Sequence, residues 1–161
     1  MDLSFWAILA INLSAAMSGA FFRPGDWYAE LRKPWWRPPN AAFPIVWMTL
    51  YILLTFATWR VWTRASGDEA VMAMTAFGVQ LVFNAAWSAI FFGMRRMRLA
   101  LLELVCLWLS IAAMIVIYQR TDIWAAALLL PYITWVTIAG VLNWTMIRLN
   151  PTAGPSPASN P

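Results

Sequence analysis

The sequence predicts an all-α, polytopic membrane bundle of five transmembrane helices. Three observations carry this. Hydrophobic residues make up 62% of the 161-residue chain and charged residues only 11%, where a soluble domain carries about 25% charge. Five apolar stretches follow one another, each near the ~20 residues a helix needs to cross about 30 Å of hydrocarbon. Basic residues fall in short clusters between them, as membrane topology requires.

Residues 3–22 form the first predicted helix and contain no charge. The start, Met1-Asp2, is acidic and more apolar stretches follow, so a retained helix fits better than a cleaved leader. Residues 41–62 form the second, with Pro44 in the first turn, where its missing N–H costs little. Residues 70–94 form the third. Residues 99–119 form the fourth and hold one acid, Glu103. Residues 123–147 form the fifth, with Pro131 inside it, a placement that neighbouring helices tolerate and that often kinks the helix. These give one expected domain, residues 1–149. The Pro/Ser/Asn-rich residues 150–161 are expected to be a disordered tail.

Several function classes lose support. The chain has no histidine and one cysteine, Cys106. That removes the commonest general base, the histidine triads and most zinc sites, so no metal and no conventional catalytic residue is expected. The net charge of +4 could suggest nucleic acid, but the basic residues are spread between spans, so no nucleic-acid partner is expected. Arg60, Arg64 and Arg120 lie on one side. Arg23, Arg32, Lys33, Arg37, Arg95, Arg96, Arg98 and Arg148 lie on the other. The richer side is expected to be cytoplasmic, with the amino terminus out and the carboxyl terminus in.

The first loop, residues 23–40, is long and rich in Pro, Trp and Arg. Two readings fit it: a lid over a cytoplasmic-side pocket, or an interfacial anchor. On helix three, Phe77, Gln80, Asn84, Trp87 and Phe91 form one stripe. On helix five, Pro131, Trp135, Ala139 and Asn143 repeat every four residues, with Leu142 beside them, and Trp47 and Tyr51 are four apart on helix two. Buried amides need partners in hydrocarbon, so Gln80, Asn84 and Asn143 should face the interior, as interhelical glue or as ligand contacts. At about 1.5 Å per residue, Trp47, Trp87, Glu103 and Asn143 fall at one depth in the half of the bundle below the loop. An aromatic cavity there suits a flat, apolar ligand. Glu103 has two readings, an intramembrane functional acid or a side chain that reaches up to the Arg95–Arg98 cluster. Ala15-x-x-x-Gly19, Ala16-x-x-x-Ala20 and Ala85-x-x-x-Ala89 allow close helix contacts within or between chains.

Four ordered motifs resemble the translocator protein family, also called TspO/MBR or tryptophan-rich sensory proteins, which includes the peripheral-type benzodiazepine receptor. They are Trp27-Tyr28-x-x-Leu31-x-Lys33-Pro34-x-Trp36-x-Pro38-Pro39; Trp47-x-x-Leu50-Tyr51; Gln80-Leu81-x-x-Asn84-x-x-Trp87-x-x-x-Phe91-Phe92; and Pro131-Tyr132-x-x-Trp135 followed by Leu142-Asn143 and Leu149-Asn150. The resemblance covers about residues 19–150. It implies a homodimer of five-helix chains with a pocket closed by the first loop. It implies binding of tetrapyrroles such as protoporphyrin IX or a haem-like ring, held non-covalently, and of sterol-like and benzodiazepine-type lipophiles, for transport or regulation. By motif, the pocket would include Ala20, Trp27, Tyr28, Trp36, Trp47, Asn84, Trp87, Trp135, Ala139 and Leu142. Arg32, Lys33 and Arg37 would meet porphyrin propionates. In porphyrin-degrading members, the tryptophans matching Trp47 and Trp135 are implicated in a light- and oxygen-dependent reaction. This sequence departs from the family at Trp144, where the sterol motif has tyrosine, and at Leu99, where animal members have tryptophan. Glu103 stands where they have aspartate.

Overall fold

The computed structural model describes residues 2–22 and 24–153. These residues are all helix and turn, with no strand among them. In order come α1 (Leu3–Phe21), a short α2 (Asp26–Glu30), α3 (Ala42–Trp62), α4 (Gly67–Ser88), a π-helical turn (Ala89–Gly93) continuing α4, α5 (Met97–Thr121), α6 (Ile123–Ala127) and α7 (Leu130–Leu149). Four spans are long and apolar enough to cross a membrane: Ala42–Trp62, Gly67–Gly93, Met97–Thr121 and Ile123–Leu149. The shorter apolar α1 makes a fifth. The chain is a multi-pass membrane protein.

Asp2 starts α1 by accepting from the Phe5 N–H at 3.2 Å, a side-chain cap on an otherwise orphan donor. It also accepts from the Trp59 indole at 3.0 Å, which ties α1 to the far end of α3. Leu3, Trp6, Ile11, Met17 and Phe21 remain exposed, as suits a face turned to lipid. The buried face carries Asn12, whose amide donates to Thr55 Oγ1 at 2.8 Å. At its other end, α1 meets the π-turn. A Cβ on Gly93 would lie 2.8 Å from the Phe22 ring, so a side chain there would push the ring away.

The core runs along α5. Leu104, Leu107, Ile111, Met114 and Tyr118 are fully or almost fully buried, spaced three or four apart on one helix face. They pack between α4 and α7, against Phe77, Tyr132 and Val136. The opposite face, with Leu102, Val105, Leu109 and Val116, is exposed. With Glu103 its one internal charge, this helix shows no polar stripe in the sequence to reveal which side is inside, and the structure makes it the spine of the bundle.

The expected kink at Pro131 is corrected. The fifth span is two helices, with a break at Leu128 and Leu129, and Pro131 occupies the first turn of α7. There its missing N–H is one of the orphan donors of a helix start. Asp122 caps α6 by accepting from Trp124 N at 2.9 Å and Ala125 N at 3.3 Å. It also pairs with Arg60 at 2.8 Å and Arg64 at 3.3 Å, clamping α3 to α6. Of the expected tail, Asn150 and Pro151 to Ala153 continue from α7 in a turn, while residues 154–161 lie outside the described residues.

Burial alone would raise the Asp122 carboxyl. The two N–H bonds and the Arg60 guanidinium outweigh it and hold the group below its usual value. A carboxylate held low stabilises the fold above its unfolded value and loses that contribution as pH falls through the folded value. Thermal unfolding in detergent should therefore show stability falling as pH drops below about 4, with a flatter fall in Asp122→Ala. At neutral pH the same variant should be less stable by about 1–3 kcal/mol, from the lost cap and the exposed donors.

Candidate functional site

Four polar side chains meet inside the bundle and join three helices. Tyr51 on α3 donates to Asn84 Oδ1 on α4 at 2.7 Å. The Asn84 amide donates to the Tyr132 hydroxyl on α7, and Gln80 donates to the same hydroxyl at 2.7 Å. All four residues are buried. A further amide, Asn143, reaches from α7 to α5. With its oxygen facing the donor, it accepts from Leu101 N at 3.1 Å and donates to Met97 O at 3.2 Å.

Aromatic rings surround this hub. Trp47 lies 5.8 Å from Tyr51 and edge-on to Tyr132 at 6.1 Å. Trp135 meets Phe43 at 5.7 Å. Trp87 stacks on Phe91 at 5.1 Å, and the loop residues Trp27 and Tyr28 pack edge-on against Phe91 at 6.0 and 6.2 Å. Such offset and edge contacts are the favoured geometry for ring pairs. The rings touch one another, so a flat ligand gains access only when they and the loop separate.

The predicted residues fall into two connected groups. Trp47, Trp87, Trp135 and Ala139 pack on the main core. Trp27, Tyr28, Trp87 and Leu142 belong to a second cluster beneath the loop, centred on Leu31, Phe91 and Met146. Trp87 is common to both, and Asn84 is in the hub one turn away. Trp36 joins neither group and is 36% exposed, beside Trp35 at 95%. Ala20 is in the last turn of α1, and its side chain lies outside the described residues.

The basic residues of the loop are used unequally. Lys33 donates to the Ala29 and Leu31 carbonyls, both at 2.9 Å, and sits 4.7 Å above the Tyr28 ring. Its charge serves the end of α2 more than a ligand. Desolvation and the neighbouring Arg37 charge hold its pKa below the ordinary lysine value. Arg32 points outward, while its backbone is clipped by Asn150. The Asn150 amide accepts from Arg32 N and donates to Arg32 O, both at 2.9 Å. This clip pins the loop to the end of α7.

Glu103 does not reach the arginine cluster. It is 7% exposed, and neither carboxyl oxygen has a partner. The indole N–H groups of Trp87 and Trp135 are also buried without an acceptor. Gln80 Oε1 of the hub and Asn12 Oδ1 on α1 are unpaired as well; buried polar atoms are rarely left so, and five such residues mark the interior as unusual.

Pattern reading missed Tyr132 as a site residue and took Pro131 as the start of the α7 stripe. Pro131 is exposed, whereas Tyr132, Val136, Leu142, Asn143 and Met146 are buried. A strict four-residue repeat turns about 40° per step, so Pro131 and Asn143 cannot share a face. Counting alternate steps of three and four from Tyr132 would have found the true stripe. The Asn150 clip and Phe43 had no signal, since both depend on how the loop and the start of α3 fold back.

The family model for the TspO/MBR family matches residues 7–149. The chain belongs to the TspO/MBR family. It is 41% identical over 157 residues to protein CrtK of Rhodobacter capsulatus, covering 96% of this chain and 98% of that protein. It is 40% identical over 149 residues to the tryptophan-rich sensory protein of Cereibacter sphaeroides, covering 90% and 92%. It is 37% identical over 126 residues to the translocator protein of Homo sapiens, covering 77% and 75%. The TspO/MBR match thus spans the hub and its surrounding tryptophans, and ends one residue before Asn150 of the loop clip.

Two substitutions separate hub from clip. Tyr132→Phe leaves the Gln80 and Asn84 donors without an acceptor and should lower stability by about 1–2 kcal/mol in a thermal unfolding assay. Asn150→Ala should leave the melting temperature nearly unchanged but raise amide exchange at residues 26–33, because only the loop is released.

Proposed function

We propose that this protein is a membrane receptor or carrier for tetrapyrroles, with protoporphyrin IX as a ligand, acting in their transport or regulation. The observation that carries this reading is the ring of Trp47, Trp87 and Trp135 around a buried polar hub, roofed by Trp27 and Tyr28. Indole faces offer a flat ligand large apolar contact. Arg32 and Arg37 lie in the same loop as Trp27 and Tyr28, and guanidinium groups pair well with propionate carboxylates. Names such as tryptophan-rich sensory protein and translocator protein among the relatives agree with it. In the same reading the loop-bearing end faces the cytoplasm, on the excess of basic residues there. The chain pairs as a homodimer, and benzodiazepine-type lipophiles use the same rings. Sterol binding is the weaker part. Arg148 lies 4.3 Å over the Trp144 ring, so its charge is already engaged by an aromatic face.

A second reading, light- and oxygen-dependent porphyrin breakdown, is favoured by Trp47 and Trp135 on the two helices that meet at Tyr132. The indoles would face an excited porphyrin directly, and no acid–base pair is needed.

Titration of the purified protein with protoporphyrin IX should quench tryptophan fluorescence to saturation. Trp47→Phe with Trp135→Phe should weaken binding by about tenfold or more. Unchanged affinity and quenching in that double variant would show that the rings are not the site. Under illumination in air, a new long-wavelength bilin-like band that vanishes in Trp135→Phe would select the breakdown reading. Its absence in the native protein would leave the receptor reading alone.

A further inference from the structure

Pro131 has no N–H to offer the Ala127 carbonyl, and its ring crowds that carbonyl. The fifth span breaks there, at Leu128 and Leu129. Beside the break lies an open cleft of about 430 Å³, lined by Arg60 of α3 and by Trp124, Ala127 and Leu128. Arg60 is in the last turn of α3 and Trp124 in the first turn of α6, so the cleft lies at the level where a span meets lipid headgroups. Trp124 is 69% exposed, and Ile123 and Leu130 are exposed too, so apolar surface adjoins it.

The charge beside the cleft does not balance. Two guanidinium groups share one carboxylate oxygen, Asp122 Oδ2: Arg60 through Nε at 2.9 Å and Nη2 at 2.8 Å, and Arg64 through Nε at 3.3 Å. The other oxygen, Oδ1, accepts from the Trp124 and Ala125 N–H groups. The carboxylate is fully used, and two arginines against one aspartate leave one surplus positive charge. The ion pairs of both arginines go to Asp122, and not to Asp68 or Glu69 at the start of α4. Arg64 Nη1 donates to the Arg60 carbonyl at 3.0 Å. Arg60 Nη1 has no acceptor among the described residues, and its side chain is partly exposed.

A guest that fits brings one negative charge, oxygens for the open edge of Arg60, and an apolar body. An inorganic anion brings only the first two. A phospholipid brings all three: a singly charged phosphodiester, and acyl chains that run from it along Leu128 and Leu130. We propose that this cleft binds one anionic phospholipid, with its phosphate on Arg60 and its headgroup seated between Trp124 and Ala127. Guanidinium and phosphate form charge-assisted hydrogen bonds of the strong kind, and an indole is suited to a border between apolar and wet surroundings. The surplus positive charge disfavours a headgroup that carries an ammonium of its own, so phosphatidylglycerol should bind ahead of phosphatidylcholine. A lipid held there joins α3 to the broken span beside the Asp122 clamp, and it stabilises the fold by binding the native state. The site is independent of the tetrapyrrole reading, since it shares no residue with the aromatic rings.

The test takes the delipidated full chain in neutral detergent and adds dioleoylphosphatidylglycerol, dioleoylphosphatidylcholine or inorganic phosphate. Native mass spectrometry counts the lipid retained, and thermal unfolding reports its effect. Native protein should retain one phosphatidylglycerol per chain at about a tenth of the concentration that phosphatidylcholine needs, and should melt higher with it. Ala127→Phe fills the cleft from a half-buried position without touching the Asp122 clamp. It should weaken phosphatidylglycerol about tenfold and melt like the native protein when no lipid is present. Arg60→Lys keeps a positive charge beside Asp122 but loses the second guanidinium edge, and should weaken the lipid by a similar factor. Equal retention of the two lipids by native protein would overturn the proposal, and so would native affinity for phosphatidylglycerol in Ala127→Phe. Stabilisation by inorganic phosphate as large as that by phosphatidylglycerol would overturn it as well, by making the guest a free anion.

Discussion

The Tyr132 hydroxyl accepts from Gln80 and Asn84, while Tyr51 donates to the other end of the Asn84 amide. These groups lie where a lipid-exposed position would offer no partner. In hydrocarbon an unpaired amide costs several kcal/mol, so α3, α4 and α7 must come together at the one register that pairs them. Apolar packing alone cannot set that register, because lipid tails solvate leucine as well as another helix does. The hub therefore fixes where Trp47, Trp87 and Trp135 stand relative to one another, and the site inherits its geometry from it.

Two further constraints act at the ends. Asp122 holds α3 to α6 through Arg60 and Arg64 and starts α6 through its cap. This lets the fifth span break at Leu128 and Leu129 without losing its place. At the loop end, Asn150 supplies the two hydrogen bonds that an adjacent strand would, and so pins Arg32. Trp27, Tyr28 and Leu31 then sit down on Phe91 and Met146. The roof is held by contacts made at its margin, while its own rings meet the bundle through apolar faces.

The hub leaves one acceptor open, Gln80 Oε1, and its neighbours leave more. Glu103, Trp87 and Trp135 keep unpaired polar atoms in the same interior. A sequence shaped for stability alone would place leucine or phenylalanine at such positions.

Composition and the spacing of charges were enough to determine an all-helical bundle and its number of spans, helical spacing the aromatic and amide stripe of α4, and four ordered motifs the resemblance to the family. Those features are properties of one segment at a time, and a bilayer makes each segment's hydropathy decisive. The stripe of α7 was misread by one residue at its start, because a four-residue repeat drifts around the helix. Tertiary structure alone decided the partners. It made α5, whose single acid Glu103 marks no stripe, the core, broke the fifth span at Leu128 and Leu129 so that Pro131 starts α7, and left Glu103 without the arginines that sequence proximity offered. It also set Trp36 apart from the other tryptophans and brought Asn150 across 118 residues to Arg32. Each of these depends on which faces meet across the bundle, and that is settled by pairing buried polar groups and filling space between helices, neither of which a single segment contains.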